Sequence, residues 1–529
     1  MAQQTFDHSE FVKLRYYSGV YGCAASTARI NYYGLSGVPN QVFNGTHQII
    51  GASLADAQGG QYMDVIRSYY YDPVPIRLQV QTFERAQGDV TTEVVMYSET
   101  ASLVDVTYVA ILIEDDVSGS HTHVTRDYYT ETFSLSGAGN TAVFNHNFTF
   151  NPQWDAENLN VVAFVQLPTK EIIQAGSSYA QPDFSIRAMV PFDRSQIGPS
   201  TGTVQGEFFT LMNVGQTDTF TIDVVIDEAP AGWGLNFCDQ GGTCYDDPVA
   251  FGLTEQTQTV YRANITPNSP GYMKYHFEVT STNLAKTLEI PFVYTTDDVD
   301  VLVIDDDAGA DYEVYFESAL TDSGFTYGVW DRGSAKLTTA VKDNFDVLVW
   351  NTGLGYPTFD RDDRMFVESY LDAGKNLFVS GQDVGWDLNA SGSNNDPTFY
   401  QGRLKALYRA DDTNRYVIDG KTDDPITDNL SVTIEGGDGA DNSEYPSRID
   451  PINGSIEILN YHGLDWGAGV RSEDEVSGAR VVYVSFGFEA VNRPEDRAAL
   501  LGNAVNWLNM LFGHDFEDGV LDSWSEVVN

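Results

Sequence analysis

Residues 375–386, KNLFVSGQDVGW, constrain the fold of this chain more than any other stretch. The apolar run 377–379 predicts a buried parallel strand, and the Gly-x-x-x-Gly run after it predicts a sharp strand-to-helix elbow. In α/β domains such an elbow presents a nucleophile, and the pattern asks for Ser or Cys at its centre. The central residue here is Asp383. The segment therefore predicts an α/β domain and argues against hydrolytic chemistry.

Strand-like and helix-like patterns alternate through the whole region around this elbow. Strand-like runs stand at 300–304 and 480–485, and helical spacing spans 312–321, 360–372 and the stretch after Pro494. Strands that alternate with helices favour a parallel sheet covered on both faces. We therefore predict a doubly wound, flavodoxin-like α/β domain over residues 298–513.

The same region resembles the class I glutamine-amidotransferase-like domain, in the variant appended to secreted bacterial proteins. VLVIDDDAGADYEVYFESAL, YGVWD, LFVSGQDVGWD and VYVSFGFEAV carry the resemblance. The active family has Cys at the elbow and a later His-x-Glu, so Asp383 replaces Cys, Gly487 replaces His and Glu489 remains. Losing one member of such a unit typically costs about 10⁴ to 10⁶ in turnover. The resemblance thus implies a degenerate site with no catalytic residue.

Two roles stay open for Asp383. It would cap the helix that follows the elbow, since Asp accepts from free helical amides. Alternatively, if the site were active, Asp383 would act as nucleophile with His462 as base and Glu489 as the surviving family residue.

A run of carboxylates follows the first strand of this region. Asp305, Asp306 and Asp307 precede a glycine turn and Asp311. Carboxyl ends of strands form the ligand-binding edge of open α/β sheets, and calcium prefers oxygen ligands. Two interpretations stay open, a solvated loop and a calcium site made by these four residues. The long insert 388–453 predicts a lid or partner surface.

Period-two patterning dominates residues 76–297. Short runs separated by Gly, Asn and Asp predict two β-sandwiches of the Ig-like or jelly-roll kind, at 76–190 and 191–297. The second resembles immunoglobulin-like modules between domains of secreted bacterial enzymes. Cys238 and Cys244 flank a Gly-Gly turn, and we favour a disulfide over two free thiols.

Residues 1–75 resemble the second half of a thioredoxin-like domain. YYGLSGVP followed by QVFNG carries that resemblance and makes Pro39 the cis-proline. Residues 14–176 together resemble a family of thioredoxin-like, outer-membrane-related secreted bacterial proteins. A C-x-x-C motif is absent, so redox catalysis is not expected.

Bulk charge restricts the partners. The chain of 529 residues has a net charge of −47, which repels nucleic acid. No apolar run is long enough to span a membrane. Residues 514–529, HDFEDGVLDSWSEVVN, resemble the opening strand of a further module, so we expect the chain to start and stop inside domains.

These features together predict a multidomain α+β protein, secreted and displayed at a bacterial cell surface. The first functional hypothesis is a non-enzymatic structural protein that binds itself or other surface proteins, with filaments formed by terminal strand exchange. The second is an accessory region of a secreted hydrolase. The third is a glycan- or peptide-binding module in the altered cleft, with Trp386 and Tyr400 as stacking surfaces.

Overall fold

Strands dominate the architecture of this protein. The computed structural model describes residues 12–35, 40–50, 66, 69, 74–98, 100–119, 121–179, 183–307, 309–333, 335–356, 358–390 and 395–510. Strand content is 42% against 17% helix, as the period-two patterning predicts. Two compact units emerge, Met1–Asp298 with Trp330–Lys336, and Val299–Val329 with Leu337–Asn529. Within the described residues, no helix has the length and apolar character needed to cross a membrane.

The first unit begins with a short helical and hairpin region. Its elements are a 3-10 turn Gly19–Tyr21, α1 Ala24–Tyr33, β1 Asn40–Phe43 and β2 His47–Ile50. Cys23 caps α1, because its sulfur accepts from the amide of Ser26 at 3.3 Å. β1 and β2 pair antiparallel. Pro39 and most of residues 51–73 lie outside the described residues, so the thioredoxin-like unit and its cis-proline stay predictions.

The first β-sandwich follows from alternating apolar residues. Its strands are β3 Ile76–Glu84, β4 Asp89–Met96, β5 Ser102–Glu114, β6 Val124–Ser136, β7 Thr141–Asn147, β8 Leu159–Gln166 and β9 Ile172–Ser177, with a 3-10 turn at Ala156–Asn158. They form two sheets, β3-β4-β7 and β6-β5-β8-β9. Tyr108 of one sheet stacks on Phe144 of the other, with ring centroids 4.0 Å apart. Aromatic packing thus closes this core.

The second β-sandwich has the same plan. Its strands are β10 Ile186–Met189, β11 Ser195–Gly198, β12 Val204–Gln205, β13 Phe209–Asn213, β14 Asp218–Glu228, β15 Gly234–Asp239, β16 Cys244–Tyr245, β17 Val249–Leu253, β18 Gln258–Thr266, β19 Tyr272–Thr280 and β20 Leu288–Thr296. The sheets run β10-β13-β18-β15-β16, with β12 beside β18, and β11-β20-β19-β14-β17. Phe209, Phe277 and Phe292 meet between them.

The second unit alternates strands and helices. Its strands are β21 Val301–Asp305, β22 Tyr327–Asp331 (up to Val329), β23 Val347–Asn351, β24 Asn376–Ser380, β25 Ala406–Ala410, β26 Val417–Gly420, β27 Ser431–Thr433, β28 Arg448–Pro451, β29 Ile456–Tyr461, β30 Gly467–Glu473 and β31 Arg480–Val484. Its helices are α2 Glu313–Asp322, α3 Thr339–Asn344, α4 Arg361–Asp372, α5 Val384–Asn389, α6 Pro397–Phe399 and α7 Pro494–Leu508, with a π-turn Tyr400–Leu404 and a 3-10 turn Phe488–Ala490.

One large sheet organises this unit. Its order is β22-β21-β23-β24-β31-β30-β29-β26-β27, and β28 joins β25 to β30. β21, β23, β24 and β31 pair in parallel, whereas the strands beyond β31 are antiparallel. The fully apolar faces of the parallel strands explain why short apolar runs predict them well.

Register brings the ends of the parallel strands to one edge. Asp305 is opposite Asn351, Asn351 is opposite Ser380, and Ser380 is opposite Val484. Every loop that follows these four residues therefore starts at the same carboxyl edge. The elbow and the carboxylate run both lie there, where ligands bind in open α/β sheets.

Candidate functional site at the carboxyl edge

The elbow is fixed by hydrogen bonds to the neighbouring strand end. Ser380 Oγ donates to the carbonyl of Phe486 at 3.1 Å and accepts from the amide of Phe488 at 2.8 Å. A Cβ on Gly381 would lie 1.9 Å from Thr352 Oγ1, so only glycine fits there. These contacts hold the turn that the Gly-x-x-x-Gly pattern predicts, and Asp383 at its centre stands directly before α5.

Asp383 stands at the N-cap position of α5, yet its side chain makes no capping hydrogen bond. The capping role predicted for it is therefore wrong. Its backbone has helical angles, φ −94° and ψ −8°, whereas a capping Asp takes extended ones that direct its oxygens at the amides. Among the described residues, no hydrogen bond reaches this carboxyl.

The surroundings of Asp383 are acidic. Burial raises the pKa of its carboxyl to about 7, and the negative charge of Asp411 adds to the shift. Asp387 and Glu444 act in the same direction. Asp387 is fully buried and accepts from the amide and hydroxyl of Thr358, at 2.9 and 3.1 Å. At neutral pH the carboxyl of Asp383 is thus partly protonated.

His462, the predicted base, lies in another environment. It is exposed, and its Nδ1 is 2.7 Å from Asp419 Oδ2. Among the described residues, His462 and Asp383 share no hydrogen bond. A nucleophile needs its base within hydrogen-bond reach, and the Asp419 contact occupies His462 instead.

Glu489 folds back over Gly487. Its Oε1 would lie 2.3 Å from a Cβ on residue 487, so the carboxyl occupies the space that any side chain there requires. Asn442 donates to that oxygen at 2.8 Å, and burial raises the pKa of Glu489. In the described part of the chain Oε2 has no hydrogen-bond partner. The Glu489 carboxyl can therefore take this position only while residue 487 is a glycine.

Gln382 joins the elbow to the insert. Its side-chain Nε2 donates to the backbone carbonyl of Asn442 at 3.1 Å, and its side-chain Oε1 accepts from the backbone amide of Tyr445 at 2.8 Å. Ser447 Oγ donates to the backbone carbonyl of Gln382 at 2.9 Å. The insert is predicted as a lid or a partner surface, and these hydrogen bonds hold its residues 442–447 against the elbow. Neither Gln382 nor Asn442 stands out in the sequence, because this contact joins segments 60 residues apart.

The carboxylates that lie together in the structure differ from the run of carboxylates in the sequence. Asp305, Asp307 and Glu313 bring one oxygen each within 4.8 Å of one another, and they could hold a metal ion. Asp306 instead accepts from Trp350 Nε1 at 2.9 Å, and Asp311 is exposed outside the group. This group shares Asp305 and Asp307 with the predicted calcium site and has Glu313, which begins α2, as its third member; Asp306 and Asp311 as calcium ligands stay predictions.

Asp307 organises the loop before α2. Its oxygens accept from the amides of Gly309, Ala310 and Tyr312, at 3.0, 2.9 and 3.0 Å. Burial raises the pKa of Asp307 to about 7, against the effect of the Tyr312 amide, and Glu313 adds to the rise. Calcium in this loop stays a prediction.

The two aromatic residues predicted to stack on a ligand differ in burial. Tyr400 is fully buried and its hydroxyl is 3.4 Å from that of Tyr483, so it cannot stack on a ligand. Trp386 is half-buried, and its ring lies 5.7 Å from that of Tyr356. Of the two predicted stacking residues, Trp386 is therefore the one that keeps an exposed part.

The cysteine pair lies in the other unit. A disulfide joins Cys238 to Cys244 across β15 and β16, with Cα atoms 4.0 Å apart.

Comparisons with known proteins add little to this geometry. No protein-family model and no curated protein matches the chain. HBP35 of Porphyromonas gingivalis is 11% identical over 42% of this chain and 64% of its own, with a TM-score of 0.18. Escherichia coli alpha-2-macroglobulin activated by porcine elastase is 10% identical over 42% of this chain and 22% of its own, with a TM-score of 0.17. A conjugative transposon lipoprotein from Bacteroides eggerthii is 13% identical over 22% of this chain and 98% of its own, with a TM-score of 0.15.

The chain thus spans less than two thirds of the first two of these proteins. Scores this low carry no argument about fold or function.

Proposed function

We propose that this protein is a non-enzymatic, extracellular surface protein of several domains. In this proposal the β-sandwiches are Ig-like spacers, and the α/β domain is a flavodoxin-like relative of the class I glutamine amidotransferases whose chemistry is lost. The supporting observation is the packing of Glu489 on Gly487. A histidine at residue 487 would overlap that carboxyl, which lies 2.3 Å from the Cβ position.

The elbow supports the same proposal. Hydrolysis through a covalent intermediate on Asp383 requires a base that activates water close to the nucleophile. Asp383 has acidic neighbours, Asp411 and Glu444, and His462 pairs with Asp419.

An assay of the purified chain with a panel of chromogenic esters and anilides tests this proposal. We expect turnover equal to that of buffer for wild type and for Asp383→Asn. Turnover by the wild type that disappears in Asp383→Asn would overturn the proposal.

A second candidate function is peptide binding at the elbow. Asp411 and Glu444 place negative charge near Asp383, and Trp386, three residues further along the chain, is half-buried. Carboxylates together with an aromatic face favour a basic side chain over a neutral sugar. Fluorescence anisotropy with Lys- and Arg-containing peptides should show salt-dependent binding that Asp411→Asn weakens. Binding on a glycan array alone would contradict this candidate.

Self-assembly through the terminal strand belongs to the same proposal. Residues 514–529 lie outside the described residues, so the argument rests on their sequence. Deletion of 514–529 should reduce the particle mass measured by light scattering. An unchanged mass would remove strand exchange and leave the accessory role in a secreted hydrolase as the alternative.

A further inference from the structure

The disulfide closes the edge of a sheet. β16 has two residues, and it is the last strand in the order β10-β13-β18-β15-β16. Among the described residues it pairs with β15 alone, Phe237 with Tyr245 and Cys238 with Cys244. The bridge therefore spans neighbouring strands at a surface edge, where an external reagent can approach.

The two cysteines differ in exposure. Cys238 is fully buried, whereas Cys244 is exposed. A thiol from solvent therefore meets the sulfur of Cys244 first. In thiol–disulfide exchange the attacked sulfur forms the new bond and the other sulfur leaves as a thiolate. Exposure thus assigns Cys238 as the leaving group.

Asn264 is positioned to stabilise that leaving group. Its Nδ2 is 2.7 Å from the Cys238 sulfur and 3.5 Å from the Cys244 sulfur, and the residue is 8% exposed. A disulfide sulfur is a weak acceptor, whereas a thiolate is a charged and much stronger one. The contact therefore gains strength as the S–S bond breaks.

We propose that Cys244 is a site of reversible modification by low-molecular-weight thiols. A thiolate attacks the Cys244 sulfur, the S–S bond breaks, and its electron pair stays on Cys238 as a thiolate that accepts from Asn264. The product is a mixed disulfide on Cys244. A second thiolate that attacks the reagent's sulfur releases a small disulfide and leaves Cys244 reduced, while return of the Cys238 thiolate restores the bridge.

Charge selects among the thiols. Asp239 precedes the turn, and Asp246 and Asp247 follow Cys244 after Tyr245 in the sequence. Asp246 accepts from Asn236 at 3.0 Å, which holds one of these carboxylates beside the hairpin. Acidic groups repel anionic reagents and attract cationic ones. Cysteamine, which carries an ammonium group, is therefore the favoured reagent, and glutathione, which is anionic, is disfavoured.

The test exposes the native chain to each thiol at equal thiolate concentration and low salt. Acid quenching and peptide mass spectrometry then locate the adduct. We expect the adduct on Cys244, with cysteamine about tenfold faster than glutathione and the difference reduced by salt. An adduct on Cys238, or a bridge that stays intact at about 10 mM thiol, would overturn the proposal. Equal rates for the two thiols would overturn the charge selection.

The leaving-group role has its own variants. Asn264→Ala should slow exchange about tenfold, because the thiolate loses a charge-assisted hydrogen bond. Asn283→Ala is the control, since Asn283 is exposed in the same sandwich and donates to Asp218 instead. An unchanged rate in folded Asn264→Ala would contradict the role. If that variant does not fold, the adduct position in the wild type still decides the proposal.

Discussion

At the residue scale, the ionisation of Asp383 makes the free energy of unfolding depend on pH. Its pKa is raised to about 7 in the folded protein, above that of the unfolded chain. Its stabilising contribution is therefore complete below the unfolded pKa and is lost as pH rises through 7. Asp383→Asn should raise the free energy of unfolding by about 1 kcal/mol at pH 8, after allowance for partial exposure, and change it little at pH 4.

Urea unfolding at the two pH values measures this effect. Asp311→Asn is the control, because Asp311 is exposed and stands outside the carboxylate group. A loss of stability in Asp383→Asn at pH 8 would show that the carboxyl has a partner that stabilises it.

Gly487 gives the second prediction at this scale. Its φ of −71° suits any residue, so a substitution acts through contact alone. Gly487→Ala should cost about 1 to 3 kcal/mol, because the new Cβ overlaps Glu489. Glu489→Ala in the same chain should restore most of that loss, whereas Gly402→Ala, with nothing within 4 Å, serves as the control. Equal stability of Gly487→Ala and wild type in urea would contradict the packing.

At the element scale, Gln382 holds residues 442–447 against the elbow. Gln382→Ala removes the acceptor of the Tyr445 amide, which is 2.8 Å away. Hydrogen exchange of peptides from 442–447 should become about tenfold faster. Peptides from β29 are the internal control, and unchanged exchange in 442–447 would show that other bonds hold the segment.

The loop between β21 and α2 gives the calcium prediction. Millimolar calcium should raise the melting temperature of wild type and of Asp311→Asn, because ligand binding stabilises the folded state. Glu313→Gln should abolish that rise, since Glu313 belongs to the carboxylate group and Asp311 does not. A calcium-dependent rise in melting temperature that persists in Glu313→Gln would show that calcium binds at other residues.

Elements also show where sequence reasoning succeeds. The apolar runs at 300–304 and 480–485 correspond to β21 and β31, and Pro494 begins α7, because burial on both sides leaves a strong local pattern. The insert gives no such pattern, since β27 has only three residues and depends on β26 for its pairing. Glu313 is missed for a related reason, because its place beside Asp305 depends on how α2 begins.

The site residues divide in the same way. The elbow and its central Asp383 follow from local sequence, whereas the backbone angles that prevent capping do not. His462 is offered as a base because it is a histidine in a nearby loop, yet its partner Asp419 comes from a strand 43 residues earlier. Contacts of this range are set by the sheet order rather than by any local motif.

At the scale of the whole molecule, two compact units predict two unfolding events. Calorimetry should show two transitions. Reduction of the Cys238–Cys244 bridge should lower the melting temperature of one transition, because the loss of a short disulfide loop costs about 2 kcal/mol in free energy of unfolding. Gly487→Ala should lower the melting temperature of the other transition. A single transition that both changes shift would contradict this independence.

The loss of chemistry at the elbow is tested most directly by isotope labelling. With chromogenic esters and anilides, a nucleophilic Asp383 would expel the alcohol or amine and form a mixed anhydride, and repeated cleavage of that anhydride by ¹⁸O water at the Asp383 carbonyl would place ¹⁸O in its carboxyl. With the ester and anilide panel, we predict that the peptide containing Asp383 keeps its natural mass. Substrate-dependent ¹⁸O in that peptide would contradict the account.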